Sequence, residues 1–334
     1  MKHIIKVVLL LTGFLLAGCQ GSTGSQAGTS AEPIQITACI SSPSANQMPF
    51  VYAAEGGFFQ KHGLEVELIT FNSGADAATA LVTRDVDICQ VAGTSVINAA
   101  LAGEDLVFIG GLFNRHLYSV ITRPEIQSAA DLPGQVFAIS KPGGLPDSLM
   151  RIAADYWGLQ VDEDLFLLSV GNQSERLAAM ETGAVAGTVL SIPETARARQ
   201  LGYNIFLDLG ALDVFYPSIT IASHSAFLAE NRPAAIRFLR AVTEAIAEMK
   251  QDRDGTLQVM AGYLLLDAQA DADLLTEAYD ALILGRLESE PFINTSGVQD
   301  LIDLTIQENP EWQAINAEQI IDNSLLAEAL AVAP

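Results

Sequence analysis

Residues 34–91, IQITACISSPSANQMPFVYAAEGGFFQKHGLEVELITFNSGADAATALVTRDVDICQV, alternate short β-branched runs with longer helical stretches, and this alternation decides the fold. Strands are predicted at Ile34–Ile40, Leu64–Phe71 and Val86–Val91, with helices at Phe50–His62 and Ala75–Thr83 between them. The alternation continues through a helix at Thr94–Ala102 and strands at Leu106–Leu112 and Leu117–Thr122. Several of these strands are apolar on both faces, as parallel strands covered by helices on each side must be. The class is α/β, with right-handed crossovers between parallel neighbours.

A second set of the same kind follows Pro124. Its strands are predicted at Gln135–Ser140, Leu165–Val170, Ala184–Leu190 and Asn204–Leu209, and its helices at Asp147–Tyr156, Ser174–Glu181 and Glu194–Leu201. Strand signals stop after Ser218-Ile219-Thr220-Ile221-Ala222. The remainder reads as helices at Pro233–Lys250, Leu257–Leu265, Ala272–Leu284, Gly297–Gln307 and Ala317–Leu330, with Asn231 as a cap and Pro233 in the first turn. This helical extension has no sheet of its own to cover and is expected on the first lobe. The predicted organisation is therefore lobe 1 from residues 33–122 plus 223–334, and lobe 2 from residues 123–222. Two hinge crossings are expected, near Thr122–Pro124 and Ser218–Ser223.

The leader MKHIIKVVLLLTGFLLAGC has Lys2 and Lys6 before an apolar stretch, Val7 to Leu16, too short for a stable membrane span of about 20 residues. Leu16-Ala17-Gly18-Cys19 resembles the bacterial lipobox, which implies a signal peptide over residues 1–18, removed before a lipidated Cys19. Residues 20–32, QGSTGSQAGTSAE, lack core-forming side chains and read, with Cys19, as a lipid-linked flexible tether over residues 19–32. The expected location is the extracytoplasmic face of the cell membrane.

Half of the 334 residues are apolar, enough for two cores, and the formal charge of −23 excludes nucleic acid as a partner. Cys39 and Cys89 fall in strands predicted to be buried, which favours inert core thiols; pairing in an oxidising compartment is the alternative. Nothing points to catalysis or to a metal or cofactor. His62, His116 and His224 are scattered, and neither a nucleophile elbow nor a Walker loop is present.

In open α/β sheets ligands sit beyond the carboxyl ends of the strands. In the first lobe those positions are Ser42, Pro43, Gln47, Asn72, Gly74, Gly93, Thr94, Ser95, Phe113 and Asn114. In the second they are Pro142, Gly143, Gly144, Asp147, Ser148, Asn172, Pro193 and Glu194. Arg115 and Lys141 are the expected basic neighbours of the cleft. Phe113, Phe215 and Tyr216 lie near the crossings, where they would either stack on a planar ligand or pack between the lobes.

Several stretches carry a family resemblance in order: Ser41-Ser42-Pro43, Met48 to Phe59, Gly63 to Glu67, Gly74, Asp85 to Ile88, Thr94-Ser95 and Ala102-Gly103-Glu104. It continues through Asp131 to Gly134, Lys141 to Gly144 and Ala184 to Gly187. The series resembles the NMT1/THI5-like solute-binding proteins of bacterial ABC importers. The resemblance implies the class II periplasmic-binding-protein-like fold, a permease and its ATPase as partners, and no catalytic step. Ligands of such proteins include riboflavin, thiamine pyrimidine precursors, nitrate and alkanesulfonates. The aromatic residues near the crossings favour riboflavin, with a pyrimidine precursor or an anion as alternatives. Glu194 aligns with an acidic residue that pyrimidine-binding members turn toward an amino-bearing ring, although Leu190 and Ser191 stand where tryptophans are usual. A pyrimidine-synthesising enzyme and a ligand-sensing lipoprotein are the remoter readings.

Overall fold

The computed structural model describes residues 32–211 and 215–331; the leader and Cys19 lie outside them. The first half of lobe 1 carries β1 (Ile34–Ile40), α1 (Met48–Glu55), α2 (Phe58–Lys61), β2 (Leu64–Thr70), α3 (Gly74–Val82), β3 (Ile88–Val91), α4 (Gly93–Leu101) and β4 (Leu106–Phe113). The predicted helix Phe50–His62 divides into α1 and α2 because Gly57 takes φ 72°, a left-handed conformation that ends one helix and starts the next.

Lobe 2 is built from β5 (Tyr118–Thr122), β6 (Val136–Ile139), α5 (Leu145–Tyr156), β7 (Phe166–Ser169), α6 (Gln173–Glu181), β8 (Gly187–Ser191), α7 (Glu194–Gln200) and β9 (Asn204–Asp208). The chain then forms β10 (Ile219–His224), α8 (Ser225–Gln251), α9 (Arg253–Leu264), α10 (Ala272–Ala278), α11 (Thr295–Glu308) and α12 (Ser324–Ala331). A π-helical turn, Tyr279–Leu284, continues α10. No described helix is long and apolar enough to cross a membrane.

The sheets have orders β2-β1-β3-β10-β4 and β7-β6-β8-β5-β9. In each, one returning strand runs antiparallel to both neighbours, β10 in the first and β5 in the second. Two expected boundaries therefore move. Tyr118–Thr122, expected in the first set, pairs with β8 and β9, so the first crossing falls between Phe113 and Tyr118. Likewise β10 pairs with β3 and β4, so the return precedes Ile219 and does not lie at Ser218–Ser223. Both strands are wholly buried runs, and burial alone does not say which sheet a strand joins.

The C-terminal helices pack on the first lobe, as expected. Phe238 of α8 meets Phe50 of α1 at 4.9 Å and Phe59 of α2 at 4.7 Å between ring centroids. Helix α8 begins at Ser225, with His224 as its cap, and kinks at Asn231 (φ −126°), so Pro233 opens a second helical segment. Cys39 and Cys89 are directly opposed on β1 and β3 and form a disulfide, with Cα atoms 4.4 Å apart. This corrects the expectation of two inert thiols: adjacent strands in register bring the Cβ atoms within bonding reach.

Candidate functional site between the lobes

The two lobes meet at the carboxyl ends of their parallel strands, where helix N-termini converge. Helices α1, α3 and α4 from the first lobe and α5 and α6 from the second all begin beside this seam, with Gln47, Ser73, Ala92, Gly144 and Asn172 preceding their first turns. The aligned backbone dipoles make it electropositive. Gly74 permits the close approach of α3 and α4, since a Cβ there would lie 2.7 Å from Ser95 Oγ.

The lobes are closed on each other. Asn46 Nδ2 donates to Tyr118 Oη at 2.8 Å, and Lys141 Nζ pairs with Asp76 at 2.6 Å. Ser95 Oγ and Asn98 Nδ2 both donate to the carbonyl of Gly143, at 3.4 and 3.3 Å. A cavity of about 30 Å³ remains between them. Ser42, Asn46, Gln47, Asn72 and Gly74 line it from one side, and Tyr118, Ser140, Gln173 and Arg176 from the other. The first-lobe wall is held rigid by Gln90, fully buried on β3, which donates to the carbonyl of Asn46 and accepts from the amide of Phe50.

Arg176 is the group that sequence reading missed. Its side chain is 1 % exposed. Nε donates to Thr188 Oγ1 at 3.0 Å, Nη1 to the Gly171 carbonyl at 2.6 Å and Nη2 to the Val189 carbonyl at 2.9 Å. These bonds orient the guanidinium fork and leave one N–H uncommitted on each Nη among the described residues. No Asp or Glu forms an ion pair with it among the described residues. Burial lowers its pKa to about 10, so it stays cationic at neutral pH. The available signal was helical spacing: Gln173, Arg176, Leu177 and Met180 share the buried face of α6. Ser140 Oγ on the cavity wall and Thr94 Oγ1 at the start of α4 are buried without a hydrogen-bond partner among the described residues.

Of the expected site residues, the structure brings Ser42, Gln47, Asn72 and Gly74 to the cavity, with Thr94 and Ser95 buried beside it. Pro43, Pro142, Gly144 and Pro193 shape adjoining turns and are not on its wall. Gly143, Asp147 and Ser148 face a larger opening of about 820 Å³ between α5 and α11. Asp147 is committed to the Gly143 amide and to Arg151. Asn172 caps α6, and Asn114 holds the Gly111 and Phe292 carbonyls, so neither side chain serves the cavity. Glu194 is buried behind the wall, with burial raising its pKa to about 7.

Of the aromatic residues near the crossings, Phe113 and Tyr216 take the packing reading, while Phe215 is 46 % exposed and off the cavity wall. Phe113 is fully buried at the end of β4, Tyr216 stacks on His116 with centroids 3.9 Å apart, and Phe215 lies under the Arg115 guanidinium at 4.9 Å. Burial pushes the His116 pKa down to about 4. A lowered folded-state pKa means this contribution to stability is complete above the ordinary value of 6.5 and is lost as pH falls toward 4. Its full size is about 3 kcal/mol. Urea unfolding at mildly acidic and neutral pH should show that part of the pH dependence vanish in His116→Phe; identical slopes would remove His116 as its source.

The model of the NMT1/THI5-like family matches residues 44–255. The chain belongs to the NMT1/THI5-like family. A putative aliphatic sulfonates-binding protein of Bacillus subtilis is 24% identical over 335 residues, covering 97% of this chain and 96% of that protein. Among solved structures, the alkanesulfonate-binding protein SsuA of Xanthomonas axonopodis pv. citri superposes with TM-score 0.72 at 16% identity, covering 87% of this chain and 99% of that one. The periplasmic nitrate-binding protein NrtA of Synechocystis PCC 6803 gives TM-score 0.73 at 16% identity, covering 89% of this chain and 88% of that one. The architecture of this NMT1/THI5-like protein is thus the two-lobed periplasmic-binding-protein fold.

Proposed function

We propose that this protein is the extracytoplasmic solute-binding component of an ABC importer and that its ligand is a small oxyanion, a nitrate or a short alkanesulfonate. Arg176 carries the reading: a buried, oriented guanidinium that makes no direct ion pair among the described residues has donors left for an anion to accept. Helix N-termini and the hydroxyls of Thr94 and Ser140 supply further donors. The names of the sulfonate- and nitrate-binding relatives point the same way.

Riboflavin, the ligand expected from the aromatic residues, is withdrawn. None of those rings lines the cavity, whose wall carries Ser, Asn, Gln and Arg side chains. Ligand capture closes the lobes, and the closed form docks on the permease, with no covalent step in this chain. Lipidation at Cys19 would hold the protein at the membrane, and the Cys39–Cys89 disulfide suits an oxidising compartment.

Titration calorimetry with sodium nitrate and methanesulfonate tests the reading. At least one should bind with a micromolar Kd, about −8 kcal/mol, and raise the melting temperature with the logarithm of ligand excess. Absence of heat and of thermal shift with both anions would overturn it.

A further inference from the structure

Glu194 opens α7 at the carboxyl end of β8, so it stands on the same seam as Arg176. It is 8 % exposed. Ser174 Oγ donates to its Oε1 at 3.4 Å, while Oε2 is buried without a hydrogen-bond partner among the described residues. A buried carboxylate oxygen in that condition is costly when ionised, and its place beside the cavity wall makes it answer to whatever charge the cavity holds.

The groups facing it come from four elements besides its own backbone amide. Helix α6 contributes Ser174 and Arg176, α7 contributes Arg197, β5 contributes Tyr118, and α9 contributes Tyr263. Both tyrosines touch residues of the cavity wall. Tyr118 Oη accepts from Asn46 Nδ2. Tyr263 Oη donates to the Ser42 carbonyl and accepts from the Ser44 amide, at 3.3 Å each. Glu194 therefore belongs to the electrostatic enclosure of the cavity without lying on its wall.

Charge balance follows. With Glu194 ionised, its charge cancels that of Arg176, and a monoanion entering the enclosed cavity leaves a net negative charge. With Glu194 protonated, Arg176 and the monoanion neutralise each other. Resting on the oxyanion reading, we propose that the ligand is a monoanion captured together with one proton, which passes from solvent to Glu194 as the lobes close. Nothing is oxidised or reduced, and the proton returns to solvent when the ligand leaves. Burial already pushes this carboxyl up to about 7, against the opposing pull of its own amide, Arg176, Ser174 and Arg197. The free protein is thus poised to take up the proton near neutral pH.

Calorimetry with nitrate and methanesulfonate from about pH 6 to about pH 9, in buffers of differing ionisation enthalpy, tests this. The wild-type affinity should fall about tenfold per pH unit above about pH 7, with about one proton taken up per anion. Glu194→Gln, which keeps the shape but cannot ionise, should bind equally well across the range with no proton uptake. A wild-type affinity independent of pH and without proton uptake would overturn the coupling while leaving the oxyanion reading intact. So would a Glu194→Gln protein that keeps the slope. Failure of both anions to bind either protein at every pH would overturn the proposed function and this inference with it. Should Glu194→Gln fail to fold, proton uptake by the wild type decides alone.

Discussion

Arg176→Gln should lose anion binding by about 100-fold or more, while the free protein melts within a few degrees of the wild type. The two effects separate because the guanidinium does different work in each state. In the free protein, removing it gives up three hydrogen bonds, to Thr188 Oγ1 and to the Gly171 and Val189 carbonyls. It also removes the desolvation cost of a buried cation that makes no direct ion pair among the described residues, and that cost is several kcal/mol, comparable to the bonds lost. In the complex, the anion loses its buried charged partner, a loss of about 2–5 kcal/mol. Arg176→Lys should fail almost as badly, because an ammonium is a point charge and cannot meet three fixed acceptors and the ligand together. The check is calorimetry for binding and calorimetric or circular-dichroism melting for stability. An Arg176→Gln protein that binds within threefold of wild type would remove Arg176 from the site.

The second large effect concerns the disulfide. Cys39 and Cys89 are separated by 50 positions in sequence and joined across neighbouring strands. Closing a loop of that length restricts the unfolded chain by about 4 kcal/mol. The doubly substituted Cys39→Ala, Cys89→Ala protein should therefore melt roughly 6 °C below wild type. Wild type unfolded in a strong reductant should fall to the same temperature, since both sulfurs are fully buried and become reachable only on opening. Unchanged melting in the variant would show that the bridge contributes nothing beyond the packing of two small side chains.

How far residues speak for themselves varies along this chain. Ser42, Gln47, Asn72 and Gly74 were legible as cavity residues because they follow strands, and a parallel sheet presents its carboxyl ends on one edge. Asn172 and Asp147 occupy equivalent positions, yet their side chains are spent on local backbone donors. A cap and a ligand contact look the same in one dimension, because both place a short polar side chain before a helix. Arg176 was passed over for the converse reason. An arginine on an amphipathic helix is ordinarily solvent-exposed, and only the fold places Thr188 and the Gly171 and Val189 carbonyls around it.

The sequence by itself determined the α/β class, the division into two strand-and-helix sets, the helical C-terminal extension and the edge at which the interlobe cavity lies. Those properties rest on periodicity and on local capping and turn chemistry, which act over a few residues. Only the tertiary structure decided which sheet β5 and β10 join, that Cys39 lies opposite Cys89, and that Arg176 and Glu194 are both buried. Each of those outcomes depends on strand register or on burial. Both couple residues far apart in the chain.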